Sequence, residues 1–267
     1  MARLGTRSTL GIARRLLLSQ GGAPLTFEQR ILALNPVGLW YAGDGENVPA
    51  QMNSATDGGS VTTWSDLGSE GNDVSQSTPS ARPTYDLSNP AFNNRGCVTF
   101  AAANSQYLGC TLSASVLGSL TTFNVIAVFV GDTPAAEAMF WSEGNSLTNS
   151  YNRLGYANPT GGINGRQLGG TGVLMTGGTG ADDGNIHVAV MRRISTNSYE
   201  LRLDGVQVDT DSGNAGGDMD RLAIGANLRA TAALFLNGSI ALAAVFDTDV
   251  YAQAEALIAE HYGMTLP

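Results

Sequence analysis

The residues whose types could do chemistry fall into a few short stretches. Tyr151, Asn152, Arg153, Tyr156 and Asn158 crowd a Gly-, Asn- and Thr-rich region, with Trp141 nearby. Aromatic faces that stack and planar groups that donate hydrogen bonds are what a saccharide requires. Trp141, Tyr151, Asn152, Arg153 and Tyr156 are therefore expected to form a glycan-binding loop, the alternative being an aromatic edge packed on a sheet. Asp209, Asp211, Asp218 and Asp220 share a second, acidic and Gly-rich stretch. Calcium takes carboxylate and carbonyl oxygens, so these four are a candidate calcium site, with Asp182-Asp183 as another. Their spacing is not that of an EF-hand loop, and a solvated acidic loop is the alternative.

Catalytic sets are harder to assemble. Glycoside hydrolysis needs two carboxylates roughly 5–10 Å apart. Glu137 and Glu143 flank a strand and are expected to point to its opposite ends. Glu200 and Asp204 share strand parity, but Asp204 falls in a turn. The chain has two histidines, His187 inside an apolar strand and His261 on a terminal helix. Both read as structural, and two His with two Cys do not make a zinc set. Gly169-Gly170 and Gly177-Gly178 lack the Gly-Lys-Ser/Thr of a phosphate loop. No catalytic residue and no cofactor other than calcium is expected.

The elements that must position these residues are strands. The 267 residues are 43% hydrophobic and include 34 glycines, with only 14% charged. That balance suits one large domain of short strands joined by tight turns. No run approaches the roughly 18 apolar residues of a membrane span. Ile186 to Val208 gives the strongest pattern, three alternating segments with Asp204-Gly205 between the last two. Asp-Gly between alternating residues signals a type I′ hairpin turn, because both positions need positive φ. Thr121–Val130 reads as a central strand, Ala233–Leu236 as a continuation of the sheet, and Ser239–Phe246 as the last strand. Pairing Phe100 with Tyr107 would make Cys97–Phe100 and Gln106–Cys110 a hairpin and set Cys97 opposite Cys110. Buried thiols are the default for the two cysteines, and a strained bridge is the alternative. Asp249 is expected to cap a closing helix, Val250 to Tyr262, that ends at Gly263.

Charge is divided unevenly along the chain. All fourteen basic residues are arginine, which codon usage in a GC-rich genome explains. Residues 1–35 hold five Arg against Glu28, or +4; the remainder holds nine against twenty-two acids, or −13, giving the net −9. An acidic body repels phosphate, so nucleic acid is not an expected partner. The first 24 residues are acid-free, and Leu16–Leu18 is too short for a signal peptide. An Arg- and Ser-containing start is also compatible with a mitochondrial transit peptide. The preferred expectation is an arm over residues 1–36 that docks on a partner through Arg3, Arg7, Arg14, Arg15, Leu16 and Leu17. It includes a short helix that Thr26 caps and Asn35-Pro36 stops. Residues 37–267 form the body.

Four blocks in order resemble the laminin-G-like or concanavalin A-like jelly-roll superfamily. They are Val61-Thr-Thr-Trp64-Ser-Asp66 with Gly71-Asn72; Arg82–Tyr85 with Val98–Phe100 and Gln106–Leu108; His187–Val190 with Leu201–Gly205; and Asn237–Ala241 with Tyr262–Leu266. The resemblance covers about residues 37–266. It implies an all-β fold, a two-sheet antiparallel jelly-roll sandwich with an N-terminal arm and a short C-terminal helix. It does not fix function, since the fold hosts lectins, hydrolases and structural modules.

The basic arm, the acidic sandwich and the superfamily's habits together lead to one expectation. The chain is read as a virion-surface protein of a bacteriophage or phage-like particle, assembled in the host cytoplasm. Its jelly-roll head would bind host-surface polysaccharide, and its arm would dock on other virion proteins. A homo-oligomer, as a trimer, follows from the habits of fibres and spikes. A non-binding decoration module and a polysaccharide-acting enzyme are the alternatives.

Overall fold

The structure, a computed structural model, describes residues 24–53, 56–118, 120–131, 136–157, 161–168, 172–213 and 217–267. Its strands, in chain order, begin with β1 (Gly38–Tyr41), β2 (Met52–Asn53), β3 (Thr63–Trp64), β4 (Val74–Ser75), β5 (Thr84–Asn89) and β6 (Arg95–Phe100). They continue with β7 (Leu108–Thr111), β8 (Phe123–Gly131), β9 (Ala138–Gly144), β10 (Tyr151–Tyr156), β11 (Ile163–Leu168) and β12 (Val173–Gly177). The last are β13 (His187–Ser195), β14 (Ser198–Leu203), β15 (Val206–Asp211), β16 (Arg221–Ile224), β17 (Asn227–Leu228), β18 (Ala232–Ala233) and β19 (Gly238–Phe246).

Two antiparallel sheets face each other in a jelly-roll-like sandwich. The first runs β15-β14-β13-β8-β19-β6-β5, with β1 also paired to β19; the second runs β12-β11-β10-β9-β16-β7-β4-β3-β2. Phe123, Val125, Ala127 and Phe129 of β8 face the interior between the sheets. Ile126 and Val128 face the other way, into a second cluster under the two helices. A strand covered on both faces reads as an unbroken apolar run, and Thr121–Val130 was legible for that reason.

The first sheet is roofed by both ends of the described chain. Thr26 Oγ1 accepts from Gln29 N–H (3.2 Å) while Gln29 Oε1 accepts from Thr26 N–H (3.1 Å), a reciprocal cap on the Phe27–Leu32 helix. Phe27 and Ile31 are buried beside Ile258 and Tyr262 of the closing Tyr251–Tyr262 helix. The Arg30 guanidinium meets Glu260 with both nitrogens at 2.6 Å. Residues 27–34 are thus packed on the body, inside the arm that was expected to run to residue 36. Arg3, Arg7, Arg14, Arg15, Leu16 and Leu17 lie outside the described residues.

Three further expectations are corrected. Cys97–Phe100 and Gln106–Cys110 do not pair: β6 belongs to the first sheet and β7 to the second. A single 3-10 turn, Ala102–Asn104, followed by Ser105 at φ 51°, carries the chain across the sandwich. Both cysteines are free, Cys97 in the helix-side cluster and Cys110 against the inter-sheet core. Asp249 does not cap the closing helix, whose N-cap is Val250. Its carboxylate receives Arg192 Nη2 at 2.9 Å instead, because that buried guanidinium requires countercharge. Ala233–Leu236 does not extend a main sheet. Residues 227–233 form the small β17–β18 hairpin, and this segment lies against β9: Met139 N–H donates to Leu234 O (3.1 Å) and Ser142 Oγ to Ala226 O (2.8 Å).

The block Trp64-Ser-Asp66 with Gly71-Asn72 is a structural knot. Asp66 Oδ1 accepts from Leu39 and Gly68 N–H, both at 2.7 Å, and its Oδ2 accepts from Asn72 N–H at 2.8 Å. The buried Trp64 indole donates to Tyr41 O at 3.3 Å. At the other anchor, Asp204 (φ 49°) and Gly205 (φ 80°) make the expected turn between β14 and β15.

Candidate functional site

Residues 151–156 are strand β10, not a loop, and all six are buried. Strand alternation divides the expected glycan-binding set between two faces. Trp141, Leu154 and Tyr156 point into the inter-sheet core. Asn152 shares their parity and donates to the buried Glu143 at 3.0 Å; Tyr156 donates its hydroxyl proton to Ala181 O at 2.8 Å. Trp141, Asn152 and Tyr156 are therefore interior residues and cannot form a surface platform. Tyr151 and Arg153 remain on the outer face of the second sheet.

That outer face gathers a cluster around the Tyr151 ring. The guanidinium carbon of Arg153 lies 4.8 Å from the ring centroid, that of Arg166 5.5 Å and that of Arg229 5.7 Å. Three elements supply these groups. Arg166 of β11 is registered directly opposite Arg153 of β10. Arg229 arrives on the β17–β18 hairpin, which crosses the face where Gly144 pairs with Tyr151. A Cβ on Gly144 would stand 2.0 Å from Leu228 O and 2.9 Å from Arg229 Cγ. The bare glycine is what lets the hairpin, and with it Arg229, reach the ring.

The electrostatics of the cluster are lopsided. Arg153, with its side chain only 3% exposed, donates to Glu137 at 2.7 Å, and its Nε has no acceptor. Arg229 Nη1 donates to Asn149 Oδ1 at 3.0 Å and meets no carboxylate among the described residues. The Arg166 side chain, partly exposed, makes neither hydrogen bond nor ion pair among the described residues, unlike that of every other described arginine. Among the described residues one carboxylate, Glu137, is bonded to this cluster, and it is bonded to Arg153 alone. Each guanidinium makes its own cation–π contact with the ring, worth about 0.5–2 kcal/mol. The ring orients the cations and they cover its face, so it offers little surface for a sugar to stack on.

The carboxylates tested for hydrolysis do not converge. Glu137 is on the outer face. Glu143 is wholly buried in the core, where Val116 N–H (2.5 Å), Leu117 N–H (3.4 Å), Ser115 Oγ and Asn152 Nδ2 all donate to it. Burial raises its pKa against those donors. Glu200 is taken by Arg192 (3.0 Å) and Arg202 (2.5 Å).

The four candidate calcium ligands are likewise dispersed. Asp209 and Asp211 belong to strand β15, where they accept from Thr176 and Leu174 N–H of β12, both at 2.8 Å. Asp220 accepts from Ser146 N–H and Oγ, and the Asp218 backbone carbonyl accepts from Asn145 Nδ2. Backbone donors in two separate places hold the Asp209, Asp211 and Asp220 carboxylates, and no three His, Cys, Asp or Glu side chains among the described residues are placed to share an ion. Asp183 binds His187 rather than joining Asp182.

Of the residues expected from the sequence, Tyr151 and Arg153 lie in this cluster; Arg166 and Arg229 join it and were not expected. A signal for Arg166 existed: Asn158-Pro-Thr-Gly-Gly162 is a turn sequence, and folding a hairpin about it sets residue 166 beside residue 153. Arg229 carries no local signal, because its approach depends on a glycine 85 positions earlier.

No protein-family model matches this chain, and no curated protein matches it in sequence. Among solved structures it is similar to the CBM40 of the Ruminococcus gnavus IT-sialidase bound to alpha2,3 sialyllactose, with a TM-score of 0.47, 16% identity, and 57% of this chain and 96% of that chain covered. It is also similar to the leech intramolecular trans-sialidase complexed with 2,7-anhydro-Neu5Ac (TM-score 0.46, 14% identity, 60% of this chain and 27% of that one). A third is mouse laminin alpha1 chain, domains LG4-5 (TM-score 0.41, 14% identity, 51% and 37%).

Proposed function

We propose that this sandwich is a carbohydrate-binding domain that does no chemistry on its ligand, and that the ligand sits on the outer face of the second sheet beside Tyr151, Arg166 and Arg229. The observation that carries this reading is the set of three guanidiniums stacked around one aromatic ring, with Arg166 unengaged. Guanidiniums fixed in plane present paired donors, the group needed to bind hydroxyl and acid oxygens of a sugar. The separation of Glu137 from the core-bound Glu143 supports binding over hydrolysis. The test is a glycan array on the full chain, followed by titration of the hits against Y151L and R229A. Retained glycans whose binding those changes abolish, with the far-ultraviolet circular dichroism intact, are expected. Silence across the array overturns the reading.

Placement on a virion surface, with residues 1–24 as the docking arm, is a further part of the proposal. Its support is the arm's composition: four arginines, no acid and the apolar Leu10, Ile12 and Leu16–Leu18. Removing residues 1–24 is expected to leave a folded body that no longer enters the particle, and unchanged incorporation overturns the docking role.

A further inference from the structure

We propose that the Tyr107 and Phe235 rings form a second saccharide site, a stacking surface for the apolar face of an uncharged sugar. The site lies beside β7, three strands and about 14 Å from the β10 strand of Tyr151. It adds to the carbohydrate reading above and rests on it. Exposure singles these rings out. Of the three Trp, eight Tyr and eight Phe in the chain, all but Tyr107, Phe235 and Tyr251 are buried. Tyr251 is covered by two guanidiniums, with the carbon of Arg192 3.8 Å and that of Arg202 4.9 Å from its centroid. Tyr107 and Phe235 carry no such cation among the described residues. They meet each other instead, from distant parts of the chain, with centroids 6.1 Å apart and planes tilted by 45°.

Both rings are held from below. Leu108 and Leu236 are buried in the inter-sheet core, and strand alternation turns Tyr107 to the outer face. Tyr107 N–H donates to Ala81 O at 3.3 Å, and Gln76 Nε2 donates to Tyr107 O at 3.4 Å. A Cβ on Gly109 would stand 3.3 Å from Tyr107 Cε2 and 2.8 Å from Leu228 Cδ2, so the ring leans over bare backbone. On either side of Phe235, Leu234 O accepts from Met139 N–H at 3.1 Å and Leu236 N–H donates to Gly225 O at 2.9 Å. Leu234 has φ 56°, and the other described non-glycine residues in that left-handed region are Asn, Ser and Asp. A bulky side chain there is strained, and such strain gathers at binding sites. Rings fixed in this way lose little freedom when a ligand arrives.

The chemistry favours a neutral ligand. A ring with no cation on it keeps its electron-rich face available, which suits the C–H face of a pyranose. The Tyr107 hydroxyl has no partner among the described residues, so it can exchange hydrogen bonds with a sugar hydroxyl. The Tyr151 ring, covered by its cations, does not offer this.

The experiment is calorimetric titration of the full chain with neutral hexasaccharides of glucose, mannose, xylose and N-acetylglucosamine. At least one is expected to bind, with an affinity that added salt leaves unchanged because no charge is paired. F235A and Y107A should each weaken that affinity about tenfold or more. F235L keeps an apolar side chain without a ring. It should match the parent in melting temperature and still lose binding, which separates stacking from folding. Y107F keeps the ring without its hydroxyl and should lose less than Y107A. Binding that Y151L abolishes and F235L leaves intact overturns this inference and leaves the reading above standing. Silence on every neutral probe also overturns it, while acidic hits on the glycan array would still sustain the Tyr151 site. Self-association that F235A abolishes, with no saccharide bound, assigns the rings to a second copy of the chain and overturns the sugar site.

Discussion

His187 Nδ1 stands 2.7 Å from Asp204 Oδ2, so the first residue of β13 is tied to the turn between β14 and β15. Its other nitrogen, Nε2, lies 2.9 Å from Asp183 Oδ1. Only the doubly protonated imidazolium donates to both carboxylates at once. Burial opposes that charge, and the two carboxylates outweigh it, so the His187 pKa is raised above 6.5. Asp183, held by Asn185 and His187, is lowered to about 2.

The sign of the stability effect follows. A base whose folded pKa is raised stabilises the fold in full below its unfolded value, and the contribution disappears as pH rises through the folded pKa. The melting temperature should therefore drop across the pH range just above 6.5. D204N should weaken the dependence and cost about 1–3 kcal/mol near pH 6. With only two histidines in the chain, proton NMR resolves the titration directly, and a His187 resonance titrating below 6.5 would contradict it.

His261 should behave oppositely. Its ring stacks on Phe27 at 4.0 Å, and its Nε2 lies 2.9 Å from the Tyr41 hydroxyl. Burial, reinforced by Arg95, lowers its pKa to about 4. A depressed folded value gives stability that is complete above 6.5 and is lost as pH falls toward 4. Hydrogen exchange in the Phe27–Leu32 and Tyr251–Tyr262 helices should accelerate in that window before the sheets respond. Uniform acceleration throughout the chain would count against it.

Glu143 holds the 112–118 segment to the core. E143A would leave the Val116 and Leu117 N–H groups buried without an acceptor, which should cost about 2 kcal/mol or more. For a domain of this size that is roughly 4–8 °C in melting temperature. E143Q keeps one acceptor oxygen and should lose less. Equal losses for the two variants would show that packing, not hydrogen bonding, is what Glu143 supplies.

G144A separates the hairpin from the sheet beneath it. The added methyl meets Leu228 O at 2.0 Å, contact that only backbone movement relieves. The variant should be destabilised by about 1–3 kcal/mol, keep its circular dichroism, and bind saccharide as weakly as R229A. Full binding by G144A would mean that Arg229 reaches the ring by another path.

What was legible in the sequence was local. Asp204-Gly205 specifies its turn with two adjacent residues, and Thr26 with Gln29 specifies a helix start within one turn. The β8 run declared itself because both its faces are covered. Pairing across the chain was not legible: Cys97 and Cys110 sit in segments that alternate well, yet the three-residue turn between them changes sheets instead of reversing within one. The Tyr151 region failed for a different reason. Its Asn, Arg and Gly content is that of a loop, but Glu143 takes Asn152, Glu137 takes Arg153 and the Tyr156 carbonyl takes Asn164 within the sheet. Composition alone does not reveal a polar side chain that has found its partner.

The Asp209 and Asp211 carboxylates, bonded to the backbone of β12, have a consequence for the molecule's behaviour in company. β12 is the last strand of its sheet, and an outermost strand with free N–H groups is a template on which another chain can add. Here Leu174 and Thr176 point their N–H groups away from β11, and both are already satisfied from within the same molecule. These two donors are not free to pair with a strand of another chain. Two acids of the stretch that suggested a metal ion, Asp209 and Asp211, are the groups that cap this edge.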